Sequence, residues 1–177
     1  MKKFTIKLLL FACTFTPALL QAQAFDVDSK AINIGIGIGG NYGVWHGGSS
    51  IPQINVSFEK GMWETGGPGV VSLGGFVGHK SFKYSSADWK WSYTTLGVRS
   101  AYHYNGIDNE NLDLYGGVML GYYIYSASGY TAGSGGVGLD GFLGARYFFS
   151  PRIGAFAELG GGMYNFSILK AGASIKF

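Results

Sequence analysis

Ile32-Asn33-Ile34-Gly35-Ile36-Gly37-Ile38-Gly39 sets an isoleucine at every second position, with only asparagine or glycine between. In an extended strand successive side chains leave on opposite faces, so this segment carries one wholly apolar face and one nearly bare face. A helix would scatter the four isoleucines around its circumference. The same two-residue period recurs along the chain. It is seen in Ile54-Asn55-Val56-Ser57-Phe58-Glu59, and in Leu96, Val98 and Tyr102 set against Thr95, Gly97, Arg99 and His103. Leu112 to Ile124, Val137 to Arg146, Ile153 to Met163 and Leu169 to Phe177 repeat it. Val71 to His79 is apolar on both faces, and the pattern leaves open whether that strand is continuous. No long segment after residue 30 has helical periodicity, so the chain is expected to be all-β with eight strands.

The second face decides between water and lipid. A soluble barrel packs large apolar side chains inward and covers its outside with charge. Here the second face is rich in glycine, with one or two charges per strand, and the chain holds 31 glycines in 177 residues. Glycine weakens an ordinary sheet. It suits the cramped interior of a narrow barrel whose apolar face meets lipid. Several segments also reach the roughly 9–11 residues that a tilted membrane strand needs. The expected fold class is therefore an eight-stranded antiparallel up-and-down transmembrane β-barrel, against a soluble ligand-binding barrel with its faces inverted.

The first residues are read as an export leader. Lys2, Lys3 and Lys7 precede an apolar run ending near Leu20, and Ala22-Gln23-Ala24 offers a small-x-small cleavage site. That reading divides the chain into a signal peptide, 1–24, and a barrel domain, 25–177. A lipid anchor at Cys13 is the alternative, but bulky Phe11 fits such a site poorly. Three of the 13 basic residues fall in the leader, which leaves ten against ten acidic ones and no basic cluster for nucleic acid. The single cysteine is Cys13, so disulfide and thiolate chemistry are excluded from the exported part.

Links are expected outside at about 40–50, 80–90, 126–135 and 164–167, and inside at about 60–69, 105–111 and 150–152. Trp45, Trp63, Trp89, Trp91, Tyr102, Tyr104, Tyr122, Tyr147 and Phe149 cluster near strand ends, as interfacial girdles do. Trp45, His46, Tyr84, Trp89, Trp91 and Tyr130 give the outer loops an aromatic character suited to a surface ligand, which the sequence does not identify.

Gly144-Ala145-Arg146-Tyr147-Phe148-Phe149-Ser150-Pro151-Arg152-Ile153-Gly154-Ala155-Phe156-Ala157-Glu158-Leu159-Gly160, with the terminal Gly172-Ala173-Ser174-Ile175-Lys176-Phe177, resembles the outer-membrane β-barrel domain family. That group includes the barrels of outer-membrane proteins A, X and W. The resemblance implies a monomer in the cell outer membrane, in contact with outer-membrane lipid and lipopolysaccharide. It further implies delivery by periplasmic chaperones to the barrel-assembly machinery, which would read Leu169, Ala171, Ala173, Ile175 and Phe177. The family is functionally mixed, so fold transfers more safely than activity.

Arg99, Asp140, Arg146, Glu158 and Lys170 are the expected lumen charges, joined by Glu59. They read either as a plug of paired charges or as an eyelet for small ions; packing of eight-stranded barrels favours the plug. His79-Lys80-Ser81, with Asp88 nearby, could be a lipid-A-modifying relay, but so short a motif is weak. His46 and His103 have no second ligand at metal spacing, and Gly35, Gly37 and Gly39 alternate within a strand rather than cradle phosphate. No catalytic residue, metal or cofactor is expected. A structural or surface-interaction barrel is the leading reading, followed by a narrow pore for small solutes or ions.

Overall fold

The computed structural model describes residues 24–40, 48–84, 89–107, 109–128, 135–163 and 166–177. Residues 1–23, where the export leader is expected and Cys13 lies, and also Trp45, His46, Asp88, Tyr130 and Tyr164, lie outside the described residues. The strands are β1 (Lys30–Ile38), β2 (Gly48–Ser50), β3 (Gln53–Glu64), β4 (Gly69–Tyr84), β5 (Trp89–Tyr104), β6 (Leu112–Ala127), β7 (Gly135–Phe148), β8 (Ile153–Gly162) and β9 (Leu169–Lys176). The described residues contain no helix.

All pairings are antiparallel. β1 joins β3 on one side and β9 on the other, with Ile34 opposite both Val56 and Ala173. β4 pairs β5, and the eight long strands close into a barrel. Closure removes every long edge, which in lipid would leave backbone groups unsatisfied. The three-residue β2 continues the line of β3 up the side of β4, with Ser50 opposite Phe82. Ile51 and Pro52 separate the two, because proline has no N–H to give the ladder.

β4 is one continuous strand, which settles the question left by its two apolar faces. Leu73 and Val77 point out, while Val70, Phe76 and Phe82 point in as lumen filling. Several links are shorter than expected. The first inner turn is only residues 65–68, and the second outer link is only 85–88, so Lys80 lies within a strand.

The outward face is the apolar one. Ile36 is 54%, Leu120 57% and Leu143 71% exposed, and the same holds row after row around the wall. Leaving such side chains in water forgoes about 1.5–3 kcal/mol each; lipid contact removes that cost. Trp63, Tyr102, Tyr104, Tyr122, Tyr147 and Phe149 also face out, and Trp89 is exposed at the outer end of its strand. Trp91 does neither. Odd positions of β5 point inward, and its ring stacks on Phe82 at 5.3 Å between centroids.

The glycine excess now has a packing cause. Gly144 sits opposite Tyr115 in register, and a Cβ there would strike the Tyr115 ring. At Gly35 a Cβ would meet the tip of Phe156 at 2.7 Å and collide with the Ala171 carbonyl. Bare positions on one strand thus admit aromatic rings from the next strand or the one beyond it, and the lumen fills.

Candidate functional site

Register brings the lumen charges together. Asp113 lies directly across from Arg146, and Glu158 directly across from Lys170. Glu59 and Arg99 flank Gly74, whose missing side chain leaves the space between them open. The result is a connected layer. Glu59 forms an ion pair with Arg99, whose Nε lies 2.7 Å from Oε1, and accepts a hydrogen bond from Arg146 Nη2 at its other oxygen. Arg99 Nη2 donates to Glu158 at 2.7 Å, and Lys170 Nζ donates to the other Glu158 oxygen at 3.1 Å. Arg146 Nη1 donates to Asp113 at 2.7 Å, and its Nε donates to Asn33 Oδ1 at 3.0 Å. Each guanidinium also covers a ring: Arg99 lies 3.9 Å from the Phe142 centroid and Arg146 4.3 Å from that of Tyr115. Buried charges cost free energy unless their partners are met. Here two arginines are matched to three carboxylates within a sealed volume.

Of the residues singled out from sequence, Glu59, Arg99, Arg146, Glu158 and Lys170 belong to this layer. Asp140 stands apart and accepts a hydrogen bond from the Tyr123 hydroxyl. Asp113, His103 and Asn33 were missed as members. Their signal was present: Asp113 and His103 share the inward parity already read for their strands.

Both ends of the lumen are closed. At the inner end, where the short turns and both termini of the barrel gather, Phe25 is fully buried and stacks on His103 at 3.9 Å. Asn105 Nδ2 donates to the Phe25 carbonyl and Lys176 Nζ to that of Ala24, each at 3.0 Å. Gly61 is bare because the Asp26 carbonyl lies against it, and its own carbonyl accepts from Asp28 N at 3.0 Å. Asp28 pairs with Lys60 at 2.9 Å; that hydrogen bond and charge hold its carboxyl below the usual range.

The outer end is closed differently. Lys80 Nζ donates to three backbone carbonyls: Gly39 at 2.9 Å, Gly40 at 3.2 Å and Phe166 at 2.5 Å. Gly39 and Gly40 both have left-handed backbone, with φ of 74° and 77°, which only glycine adopts freely and which turns the chain over the mouth. Phe166 drops between Tyr93 and Tyr123, at 4.5 and 5.2 Å between centroids. Between this cap and the ion-paired layer remains a cavity of about 30 Å³, beside Thr95, Arg99, Asp140 and Lys170.

Two constellations have the spacing of hydrolytic relays. Ser72 Oγ lies 3.0 Å from His103 Nε2, and His103 Nδ1 lies 2.8 Å from Asp113. All three side chains are fully buried, Ser72 Oγ donates to the Ala101 carbonyl at 3.3 Å, and Phe25 covers the imidazole. A substrate carbonyl has nowhere to sit. On the outer wall His79 Nε2 lies 3.0 Å from Ser81 Oγ, but its Nδ1 faces the Thr94 hydroxyl at 3.0 Å. A hydroxyl cannot stabilise an imidazolium as a carboxylate does. No cluster of three metal-binding side chains occurs among the described residues.

At the C-terminus Leu169, Ala171, Ala173 and Ile175 face outward on β9, and Phe177 just beyond it is exposed.

No family model and no curated protein matches the sequence. Solved structures do match in shape. The chain is similar to the N-terminal β-barrel domain of Pseudomonas aeruginosa OprF, with a TM-score of 0.54 and 14% identity over 85% of this chain and 98% of that one. It is also similar to Ail, the attachment invasion locus protein of Yersinia pestis, at 0.52 and 13% over 85% and 99%. A third likeness is the outer membrane protein OprG of P. aeruginosa, at 0.55 and 13% over 89% and 98%. The chain has the eight-stranded fold of outer-membrane β-barrel proteins.

Proposed function

We propose that the protein is an exported monomer of the outer membrane whose closed barrel serves as a structural or surface-interaction element rather than a pore or an enzyme. The observation that carries this reading is closure at three levels: Phe25 at the inner mouth, the Arg99–Glu59–Arg146–Asp113 layer in the middle, and Lys80 with Phe166 at the outer mouth. A lumen blocked in this way offers ions no path, and a substrate no access to the buried side chains. Lipid and lipopolysaccharide meet the outer wall. The leader is removed after Ala24, so that Phe25 becomes the first residue of the exported chain and the inner stopper at once. Periplasmic chaperones and the barrel-assembly machinery act during biogenesis on the exposed C-terminal residues Leu169, Ala171, Ala173, Ile175 and Phe177.

The test is conductance in planar bilayers. Purified protein should give no stepwise currents beyond the protein-free baseline. Regular steps that change on Arg146→Ala would establish the pore instead.

A further inference from the structure

Asn105-Gly106 is the one asparagine–glycine pair in the chain. It follows Tyr104, the last residue of β5, and the Asn105 amide donates to the Pro68 carbonyl at 2.9 Å where the ladder ends. Asn105 is half-buried and Gly106 is exposed. The Asn105 side chain reaches the stopper of the inner mouth. Its Nδ2 donates to the Phe25 carbonyl at 3.0 Å, and the Phe25 ring covers His103. Lys176 Nζ holds the Ala24 carbonyl, which departs with the leader on the cleavage proposed after Ala24. Beyond these contacts, Asp28 pairs with Lys60, and the Asp28 amide donates to the Gly61 carbonyl at 3.0 Å.

We propose that Asn105 is a site of spontaneous deamidation, and that its conversion to a carboxylate releases the Phe25 stopper from the inner mouth. Water is the only co-reactant. The Gly106 nitrogen attacks Asn105 Cγ, so a Cγ–N bond forms. The Cγ–Nδ2 bond breaks, and Nδ2 leaves as ammonia with the proton given up by Gly106. Water then opens the cyclic imide at either carbonyl and leaves aspartate or isoaspartate; nothing is oxidised or reduced. Three features favour the reaction at this place. Glycine has no Cβ to crowd the attacking nitrogen, and its free backbone can turn toward the ring. The pair lies in a surface turn past the end of β5, so ring closure breaks no strand pairing. The Phe25 contact engages Nδ2 rather than Cγ, the atom attacked. The product reverses that contact. A donor becomes an ionised group that only accepts, and it faces a carbonyl oxygen that also only accepts. Repulsion replaces the hydrogen bond, and Phe25 to Ser29 are left with the Asp28–Lys60 pair and Gly61. With the ring displaced, His103 and Asp113 open to the inner side while every strand stays as it was. The inner mouth is thus shut in newly made protein and opens one way, with age.

The experiment ages the purified, folded protein in detergent at mildly alkaline pH and follows the amide-to-acid mass gain by peptide mass spectrometry. Asn105 should convert about tenfold faster or more than Asn109 and Asn111 of the same turn, and Gly106→Ala should slow it by a similar factor. The Cβ added in Gly106→Ala meets the far end of the exposed Tyr104 side chain, which can swing aside. Release of the stopper is read by hydrogen exchange at the Asp28 amide. Asn105→Asp should speed that exchange about tenfold and leave the amides of β6 as in the parent. Asn109→Asp, which adds the same charge to the same turn, should leave Asp28 unchanged. Conversion at Asn105 no faster than at Asn109 and Asn111 would overturn the modification site. Unchanged Asp28 exchange in Asn105→Asp would overturn the release. Exchange that quickens throughout β6 as well would mean a weakened barrel instead of a freed segment, and would overturn it too.

Discussion

The inner and outer halves of the lumen are closed by opposite means. Inside, charge meets charge: Arg99 and Arg146 are matched to Glu59, Asp113 and Glu158 by side-chain ion pairs, and one aromatic ring stops the mouth. Outside, a lone ammonium, Lys80, gathers backbone carbonyls from two different links, and rings fill the space beneath. The inner half belongs to the strands and should melt only with the barrel. The outer half is a clasp between a strand and its loops, and can open while the barrel stands.

The largest effect should come from breaking the inner half. Arg146→Ala leaves Glu59 with Arg99 alone and Asp113 with His103 alone in a sealed volume, and breaking a buried pair in this way typically costs about 3–5 kcal/mol. The urea midpoint in detergent micelles should fall further than it does for Gly74→Val, Lys80→Met or Asp28→Asn. An unchanged midpoint would show that the layer is not what holds the lumen. Gly74→Val attacks the same layer by shape, because even a Cβ there collides with the Phe58 carbonyl and the Glu59 backbone between the paired charges. Overpacking of this kind costs about 1–3 kcal/mol, seen as a lower yield of the heat-shifted form.

Lys80→Met separates the halves. It removes the outer clasp, worth about 1.5–3 kcal/mol locally by the usual strength of charged hydrogen bonds, but touches no inner ion pair. Proteolysis of the outer links should quicken while the barrel's urea midpoint holds nearly still. A midpoint falling in step with proteolysis would make the two halves one cooperative unit. The smallest effect is at Asp28. Its folded pKa is depressed, so the stability it lends is present above the usual carboxylate range and lost as pH falls through the folded value. Asp28→Asn should flatten that acid limb slightly and leave stability at lower pH unaltered, as pH-dependent midpoints would record.

How much of this was legible in the sequence follows from the period of two. Alternation named both faces of β1, β3 and β5 to β9, and so gave the fold and the inward charges. It could not say how far a strand continues into what looks like a loop. Lys80 therefore reads as part of a link, and Trp91 as part of a girdle, although its odd position in β5 already points inward. Parity also gives no distance around the wall. Glu59 and Arg99 sit on strands separated by β4, and only closure of the barrel with a bare Gly74 brings them into contact. Phe25 had no period to belong to, since Phe25 to Ser29 precede β1 and join no strand.

The alternation that starts at Ile32 puts lipid outside and the charged layer inside, and on that assignment everything else depends. The chain's single cysteine, Cys13, precedes every strand of the barrel, so single cysteines can be placed in an otherwise cysteine-free barrel. Val118→Cys, Met119→Cys, Leu120→Cys and Gly121→Cys, carrying a small fluorophore in bilayers, should be quenched by lipid-dissolved bromine at 118 and 120 and spared at 119 and 121. The reverse pattern, or equal quenching along the strand, would contradict the assignment.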